Sequence, residues 1–394
     1  METRKLYYED SEQKEFSAKV LSCEKIEEGY QIVLDQTAFF PEGGGQTADT
    51  GVLWLDAEGK NLVQVLDVQE EEGQIFHKTD GPVEVGTEVC GKIFWKERFS
   101  KMQHHTGEHI VSGLIHHHFG FQNVGFHLGS QVVTLDFDGV LTKEQLRQIE
   151  YEANEAVAKN IPIVVTYPTR EELPGLTYRS KIEIEGQVRI VEIPGYDTCA
   201  CCAPHVSTTG QIGMIKLVNM HNYKGGVRIY MLCGFAALAD YNEKEESVRT
   251  IALSLCTQEQ LVADRVEKLQ EEIYRQKGQI MNLVNELLDY KVAAVEENAP
   301  VGLIVDSNLE DNQPRELANK LMDKGVDLAA VFAGNDEAGY RYVLGSRKRD
   351  VRGIAKEMNG ALQGRGGGKP EMAQGFVQGQ KTEIEVYFAD FSLE

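Results

Sequence analysis

Met102-Gln-His-His-Thr-Gly-Glu-His-Ile-Val-Ser-Gly-Leu-Ile-His116 decides how the chain is read. His105 and His109 stand four residues apart, and a helix stacks such a pair on one face, one turn apart. The answering stretch is Asp197-Thr-Cys-Ala-Cys-Cys-Ala-Pro-His-Val206, where Cys201 and His205 repeat that spacing ahead of the turn-forming Thr208-Thr-Gly-Gln211. A helical imidazole pair and a thiolate–imidazole pair together suit zinc, a borderline-soft ion bound tetrahedrally by nitrogen and sulfur. The spacing predicts one zinc ion per chain, held by His105, His109, Cys201 and His205. The bland alternative is buried histidines beside ordinary cysteines, and two independent four-spaced pairs weigh against it.

Working outward, residues 1–92 read as short alternating strands broken by turns, at Ala18–Ser22, Gly29–Asp35, Leu62–Val68 and Gly91–Trp95. Repeated short strands with glycine turns favour a small β-barrel. Between them runs Thr37-Ala-Phe-Phe-Pro-Glu-Gly-Gly-Gly-Gln46. Three successive glycines bury no side chain and lose the most entropy on ordering, so they make sense where backbone approaches something closely. Residues 93–241 change to an α/β pattern. A helix is expected from Lys96 to His118, with the run His116–His118 at its wet end, then a strand Gln131–Phe137 and a helix capped by Thr142. Residues 242–299 read as nearly continuous helix. There Val262, Val266, Leu269, Ile273, Gln276, Ile280, Leu283 and Leu287 alternate steps of four and three, a coiled-coil stripe with one polar member. That stripe predicts a homodimer through the 262–287 helix, the competing cover being the chain's own neighbouring domain. Residues 300–394 resume α/β, with strands at Val301–Asp306, Leu328–Ala333 and Tyr340–Leu344 and a helix near Arg315–Lys324. The expected class is therefore α+β multidomain.

These motifs carry a resemblance. His105-Thr-Gly-Glu-His109, Cys201-Cys-Ala-Pro-His205, Thr209-Gly-Gln-Ile-Gly213 and Thr37–Gln46 resemble the editing domain of alanyl-tRNA synthetases and their free-standing relatives, the AlaX proteins in their long form. Leu362-Gln-Gly-Arg-Gly-Gly-Gly-Lys-Pro-Glu-Met-Ala-Gln-Gly375 is similar to the glycine-rich signature of the DHHA1 domain found at the end of those synthetases. The resemblance spans essentially the whole chain. It implies an N-terminal β-barrel, a zinc-binding α/β editing core, a helical linker and a C-terminal α/β DHHA1-like domain. It also implies that His105, His109, Cys201 and His205 bind zinc, and that Thr37, Gly43, Gly44, Gly45 and Gln46 lie on the substrate side. His127 falls where relatives often have a pocket glutamine. In the DHHA1-like loop, backbone amides can cradle phosphate, with Arg365 and Lys369 supplying charge. Departures from the family are Cys202-Ala-Pro204 in place of GGT, Glu108 in HTGEH where HTATH is common, and Phe40 for a tyrosine. Glu108 is a second pocket candidate, although its position directly before His109 points it off the shared face and argues against a general base.

Composition narrows the setting. At 394 residues the chain has room for two or three cores, and 42% hydrophobic with 26% charged residues is ordinary for a soluble protein. A net charge of −22 is unusual for a partner of RNA, whose binding rests on Lys and Arg at phosphates. The charge is uneven. From Arg341 to Lys369 eight basic residues face only Asp350 and Glu357, a local excess of +6. The N-terminal stretch has no apolar core of a signal peptide and no run of eighteen apolar residues exists, so a cytoplasmic protein with no membrane partner is expected. Seven cysteines, an odd number, fit reduced thiols better than a disulfide framework.

The resulting expectation is zinc-dependent hydrolysis, in trans, of mischarged Ser- or Gly-tRNA(Ala) at the ester on the terminal adenosine. The partner is the tRNA(Ala) acceptor end. Neither tRNA charging nor ATP use is expected, since no P-loop and no aminoacylation domain are read. Zinc either activates the water or fixes the substrate, and sequence leaves both open. The rival reading is a non-catalytic, zinc-containing tRNA-binding protein, which the Cys202–Pro204 departure favours.

Overall fold

The computed structural model describes residues 2–56, 61–128, 133–180, 187–389 and 391. The chain divides into two compact units, Met1–Thr250 and Ile251–Glu394. The first contains the expected 1–92 and 93–241 segments, and the division falls inside the stretch read as the 242–299 linker.

In the first unit six antiparallel strands close a barrel. They are β1 (Glu15–Ile26), β2 (Gly29–Leu34), β3 (Gly51–Trp54), β4 (Leu62–Glu71), β5 (Gln74–Thr79) and β6 (Glu88–Ile93), in the order β1-β2-β5-β4-β3-β6. Alternation puts Val63 and Val65 of β4 inside. A bulge between Val65 and Asp67 then resets the phase, so Val68 goes inward and Asp67 stays out. The filling includes Ile32, Leu34, Leu53, Ile75 and Ile93, together with Phe39, Phe40 and, from far along the chain, Ala203.

From the barrel the chain enters α1 (Trp95–Phe119), and every residue from Met102 to Ile115 is buried. A helix covered all round shows no amphipathic stripe, so its polar residues need partners inside the protein. It ends on Gly120, whose φ of +73° and bond from its N–H to His116 O form a left-handed cap. β7 (Asn123–Leu128) and β8 (Val133–Phe137) follow, the expected start at Gln131 lying outside the described residues. Then come α2 (Lys143–Lys159), β9 (Val164–Thr166), β10 (Ile190–Ile193), β11 (Asp197–Ala200), β12 (Ile215–Tyr223) and β13 (Gly226–Cys233). Thr142 caps α2 reciprocally with Gln145. The sheet β12-β13-β8-β7 shares a core with α1 and α2, and β9-β10-β11 forms a smaller antiparallel sheet.

The 242–299 stretch is not one helix. α3 (Gly234–Ser254) stops, the chain turns through Cys256 at φ +48°, and α4 (Val262–Ala293) begins after a short 3-10 turn. In α4 only Leu288 and Val292 are buried. Val266, Ile273, Ile280, Leu283 and Leu287 of the heptad stripe stay exposed. The second unit also holds a five-stranded sheet, β14 (Val301–Asp306), β15 (Leu328–Asn335), β16 (Gly339–Gly345), β17 (Arg365–Lys369) and β18 (Met372–Val377), ordered β14-β15-β16-β18-β17. Helices α5 (Gln313–Asp323), α6 (Val351–Ala361) and α7 (Lys381–Ala389) complete it. The glycine-rich stretch read as a phosphate-cradling loop is instead β17, an edge strand paired to β18 in register from Arg365↔Phe376 to Lys369↔Met372. No helix among the described residues is long and apolar enough to cross a membrane.

Candidate metal centre

Two features of the fold set the centre's walls. Gly113 of α1 lets β11 come down onto the helix, since a Cβ there would lie 2.2 Å from Tyr196 O and 2.9 Å from Asp197. At the other end of the helix, Arg98 makes a fully buried ion pair with Asp49, and its Nη2 donates to Ala38 O at 2.6 Å. Asp49 also accepts from Phe40 N at 2.7 Å. Breaking a buried pair by removing one partner costs about 3–5 kcal/mol, so the 38–49 segment is pinned to α1. That segment turns tightly at Gly44 and Gly45, with Gly43 and Gln46 exchanging two backbone bonds of 3.0 Å. Both turn residues have positive φ, +61° and +80°, which only glycine adopts without strain. A Cβ on Gly44 would sit 3.1 Å from Cys202 Sγ and 3.9 Å from His105, and one on Gly45 would meet the Phe126 ring at 2.8 Å. The three glycines are therefore a close approach of backbone to the cluster.

Between these walls His105, His109, Cys201 and His205 converge, their potential ligand atoms all within 4.8 Å of one another. Cys201 Sγ is 3.4 Å from the Nε2 atoms of both His105 and His205. Tetrahedral zinc with about 2.3 Å to sulfur and 2.0–2.1 Å to nitrogen requires an N···S separation of about 3.6 Å, so the residues present fit that ion.

Each imidazole is also held from behind. His105 Nδ1 meets Gln46 Oε1 at 3.2 Å, His205 Nδ1 meets Thr106 Oγ1 at 3.1 Å, and His109 Nδ1 lies 3.0 Å from Asp197 Oδ2. Asp197 is fixed in turn by a two-point fork from Arg179, at 2.7 and 2.8 Å. Three different outer partners orient three rings toward one point, the arrangement that metal-ligating histidines adopt. Arg189 clamps the fourth ligand's loop, its Nη1 donating to Cys201 O at 2.8 Å and Ala203 O at 3.0 Å. Burial pushes the Cys201 thiol up, but His105 and His205 facing it, with the His105 and His109 hydrogen bonds, hold its pKa well below the usual thiol range. Burial brings His205 down to about 3. Burial also opposes charge on His109, yet Asp197 and Cys201 keep its pKa well above the ordinary value.

Several expected site residues land elsewhere. Thr37 is fully buried, its hydroxyl 2.9 Å from His77 Nε2 and accepting from Phe39 N, so it braces the barrel. Gln46 is 1% exposed and its side-chain oxygen meets His105 Nδ1, so it braces that ring of the cluster. His127 is exposed on the strand face opposite Phe126, whose ring lies 4.9 Å from His105, so it points away from the cluster. Glu108, expected to point away, is buried with its Oε2 3.8 Å from His109 Nε2. Gly43, Gly44 and Gly45 do flank the cluster. Arg365 and Lys369 are exposed on β17 in the second unit. Folding trims the basic excess of 341–369, because two acids from outside that run pair with it and a third pair lies within it. Arg347 pairs with Asp323, Lys348 with Asp327 and Arg352 with Asp350. Sequence reasoning does not find Asp197, Arg179, Thr106 or Arg189. Asp197 lies four residues before Cys201, a hint that spacing offers, whereas nothing local marks Arg179.

Comparison with known proteins gives a consistent picture. Residues 188–230 match the threonyl and alanyl tRNA synthetase second additional domain, residues 290–386 the DHHA1 domain, and residues 2–97 the class II (A) tRNA synthetases. The alanine–tRNA ligase of Pyrococcus furiosus is 33% identical over 96% of this chain, and that of Halorubrum lacusprofundi is 31% identical over 95%. The chain spans 42% of each of those ligases. The alanyl-tRNA editing protein AlaX-L of Pyrococcus horikoshii is 27% identical, and the match covers 96% of both chains. Residues 188–230, which include Cys201 and His205, thus match the second additional domain, residues 290–386 match the DHHA1 domain, and AlaX-L is a homologue of the chain from end to end.

Proposed function

We propose that this protein hydrolyses mischarged aminoacyl-tRNA(Ala) in trans, cleaving the ester that joins serine or glycine to the terminal adenosine. The observation that carries this is the convergence of three outward-anchored imidazoles and a thiolate beneath a glycine turn that brings open backbone to the same point. His105, His109, Cys201 and His205 would hold one zinc ion, which when bound supplies a Lewis acid able to polarise an ester or acidify water. The chain's own residues do the rest. Gln46 and Thr106 meet Nδ1 of His105 and His205, and Asp197 faces Nδ1 of His109 at 3.0 Å, so each ring is held from its outer side. Gly43–Gly45 keep side chains out of the approach, so a planar or hydroxylated end can lie against backbone. Arg365 and Lys369 on the exposed β17 strand serve as phosphate contacts for the tRNA body, and the exposed α4 stripe joins two chains.

The test is release of serine from Ser-tRNA(Ala), with and without a zinc chelator and for His109→Ala. Hydrolysis that chelation and His109→Ala both abolish, with circular dichroism unchanged, supports the reading. If wild-type protein cleaves no faster than buffer while still binding the tRNA, the non-catalytic zinc-containing binding protein is the correct account.

A further inference from the structure

The three histidines of the cluster are 2–3% exposed, whereas Cys201 is half-buried, so solvent reaches the centre from the Cys201 side. Cys202, the next residue, is exposed there, and it begins the Cys202-Ala-Pro204 stretch that departs from the GGT of the family pattern. Its position is fixed by its neighbours. Arg189 Nη1 straddles it, donating to Cys201 O at 2.8 Å and to Ala203 O at 3.0 Å. Ala203 is fully buried in the barrel core, and the proline after it disfavours helical backbone at that residue. The thiol so held lies against the glycine turn. A Cβ on Gly44 would stand 3.1 Å from Cys202 Sγ, 3.9 Å from His105 Cε1 and 4.0 Å from Ala203 Cβ, and one on Gly43 would stand 3.8 Å from the same sulfur. Gly44 and Cys202 are therefore the two sides of one opening, with a ring of the cluster behind them.

We infer that Cys202 is a specificity-determining residue, the wall that limits how large an aminoacyl side chain can come to the centre. The inference rests on the hydrolase reading proposed above. A free cysteine packs as a small apolar group. Gly44 carries no side chain, so residue 202 alone sets the width of the opening from the side-chain direction. One methylene more or less in such a pocket is worth roughly tenfold to two-hundredfold in discrimination. Glycyl and seryl esters are unbranched at Cβ and pass. A threonyl ester adds one methyl at Cβ and meets the sulfur.

The test compares kcat/KM for seryl and threonyl esters carried on the same tRNA, in wild type and in Cys202→Gly. Wild type should favour the seryl ester by about tenfold or more, and Cys202→Gly should lower that ratio about tenfold. Cys202→Val should move the other way, slowing seryl hydrolysis more than glycyl. A cysteine with only a structural role would depress both rates together. An unchanged seryl-to-threonyl ratio in Cys202→Gly therefore overturns the inference, as does a wild type that cleaves the two esters equally well. Should Cys202→Gly fail to fold, Cys202→Ala removes the sulfur alone and is read by the same ratio. Wild type that cleaves neither the seryl nor the glycyl ester faster than buffer would instead sink the hydrolase reading itself, an outcome visible before any variant is made.

Discussion

The metal centre and the β17–α4 region both announce themselves in the sequence through dense functional residue types, and folding treats them in opposite ways. At the centre, residues about a hundred positions apart meet in a buried cluster where each ring has a dedicated outer partner. In the second unit, two acids from elsewhere in the chain, Asp323 and Asp327, offset part of the basic run, and much of the heptad stripe is left exposed on the chain. Fixed spacing of ligand-type residues survives folding because it encodes a direction. A local charge count changes on folding, since partners distant in sequence enter the sum.

The largest effect expected from this contrast is at the centre's outer layer. Asp197→Asn leaves all four ligands in place but removes the charged anchor of His109. Zinc affinity by chelator competition should fall tenfold to hundredfold, and Arg179→Ala should follow in the same direction by a smaller factor. Wild-type affinity in Asp197→Asn would mean that the ordered outer layer is scaffolding alone.

In the second unit the next expected effect is a twofold change in mass. Ile273 and Ile280 are 50% and 61% exposed, a strip that a second copy would cover through the heptad seam. Light scattering on wild type should give a dimer, and Ile273→Lys with Ile280→Lys should give monomers. A wild-type protein that stays monomeric as its concentration is raised would show that this strip is simply solvated.

The smallest effect concerns charge. Arg365→Gln with Lys369→Gln should lower the salt slope of tRNA binding by roughly one unit for each phosphate that is no longer neutralised. Replacing Arg347, Lys348 and Arg352 should change it less, because each already faces an acid. The reverse order would restore the picture in which local charge density along the chain marks the RNA surface.

What is legible in the sequence follows the same division. The barrel can be read because β4 alternates cleanly, yet the bulge that turns Val68 inward has no local signal. The cluster of His105, His109, Cys201 and His205 is readable from two four-residue spacings. Glu108 defeats a reading from helix direction alone: a helix buried all round has no outer face to point to, and Ser112 and Asn123 decide where the carboxylate goes. His127 escapes for a related reason, since the strand's phase is set by Phe126 packing on His105. The glycine run 366–368 looks like a loop because glycine disfavours strands, but Cβ atoms on Gly366 and Gly368 would fall 2.5 and 2.2 Å from the backbone oxygens of Gln374 and Met372, so the pairing itself calls for glycine there. Thr37, in a short strand paired to Arg4–Lys5 outside the closed barrel, finds its hydroxyl partner in His77 of β5, a contact across the sequence that no local pattern marks.

X-ray absorption at the zinc edge of the loaded protein addresses the central claim most directly, because it counts the ligands without reference to activity. One sulfur at about 2.3 Å and three nitrogens at about 2.0–2.1 Å are predicted, for Cys201 with His105, His109 and His205. Two sulfurs would bring Cys199 or Cys202 into the shell, and a six-coordinate oxygen-rich shell would place the ion elsewhere. Either result would contradict the centre described.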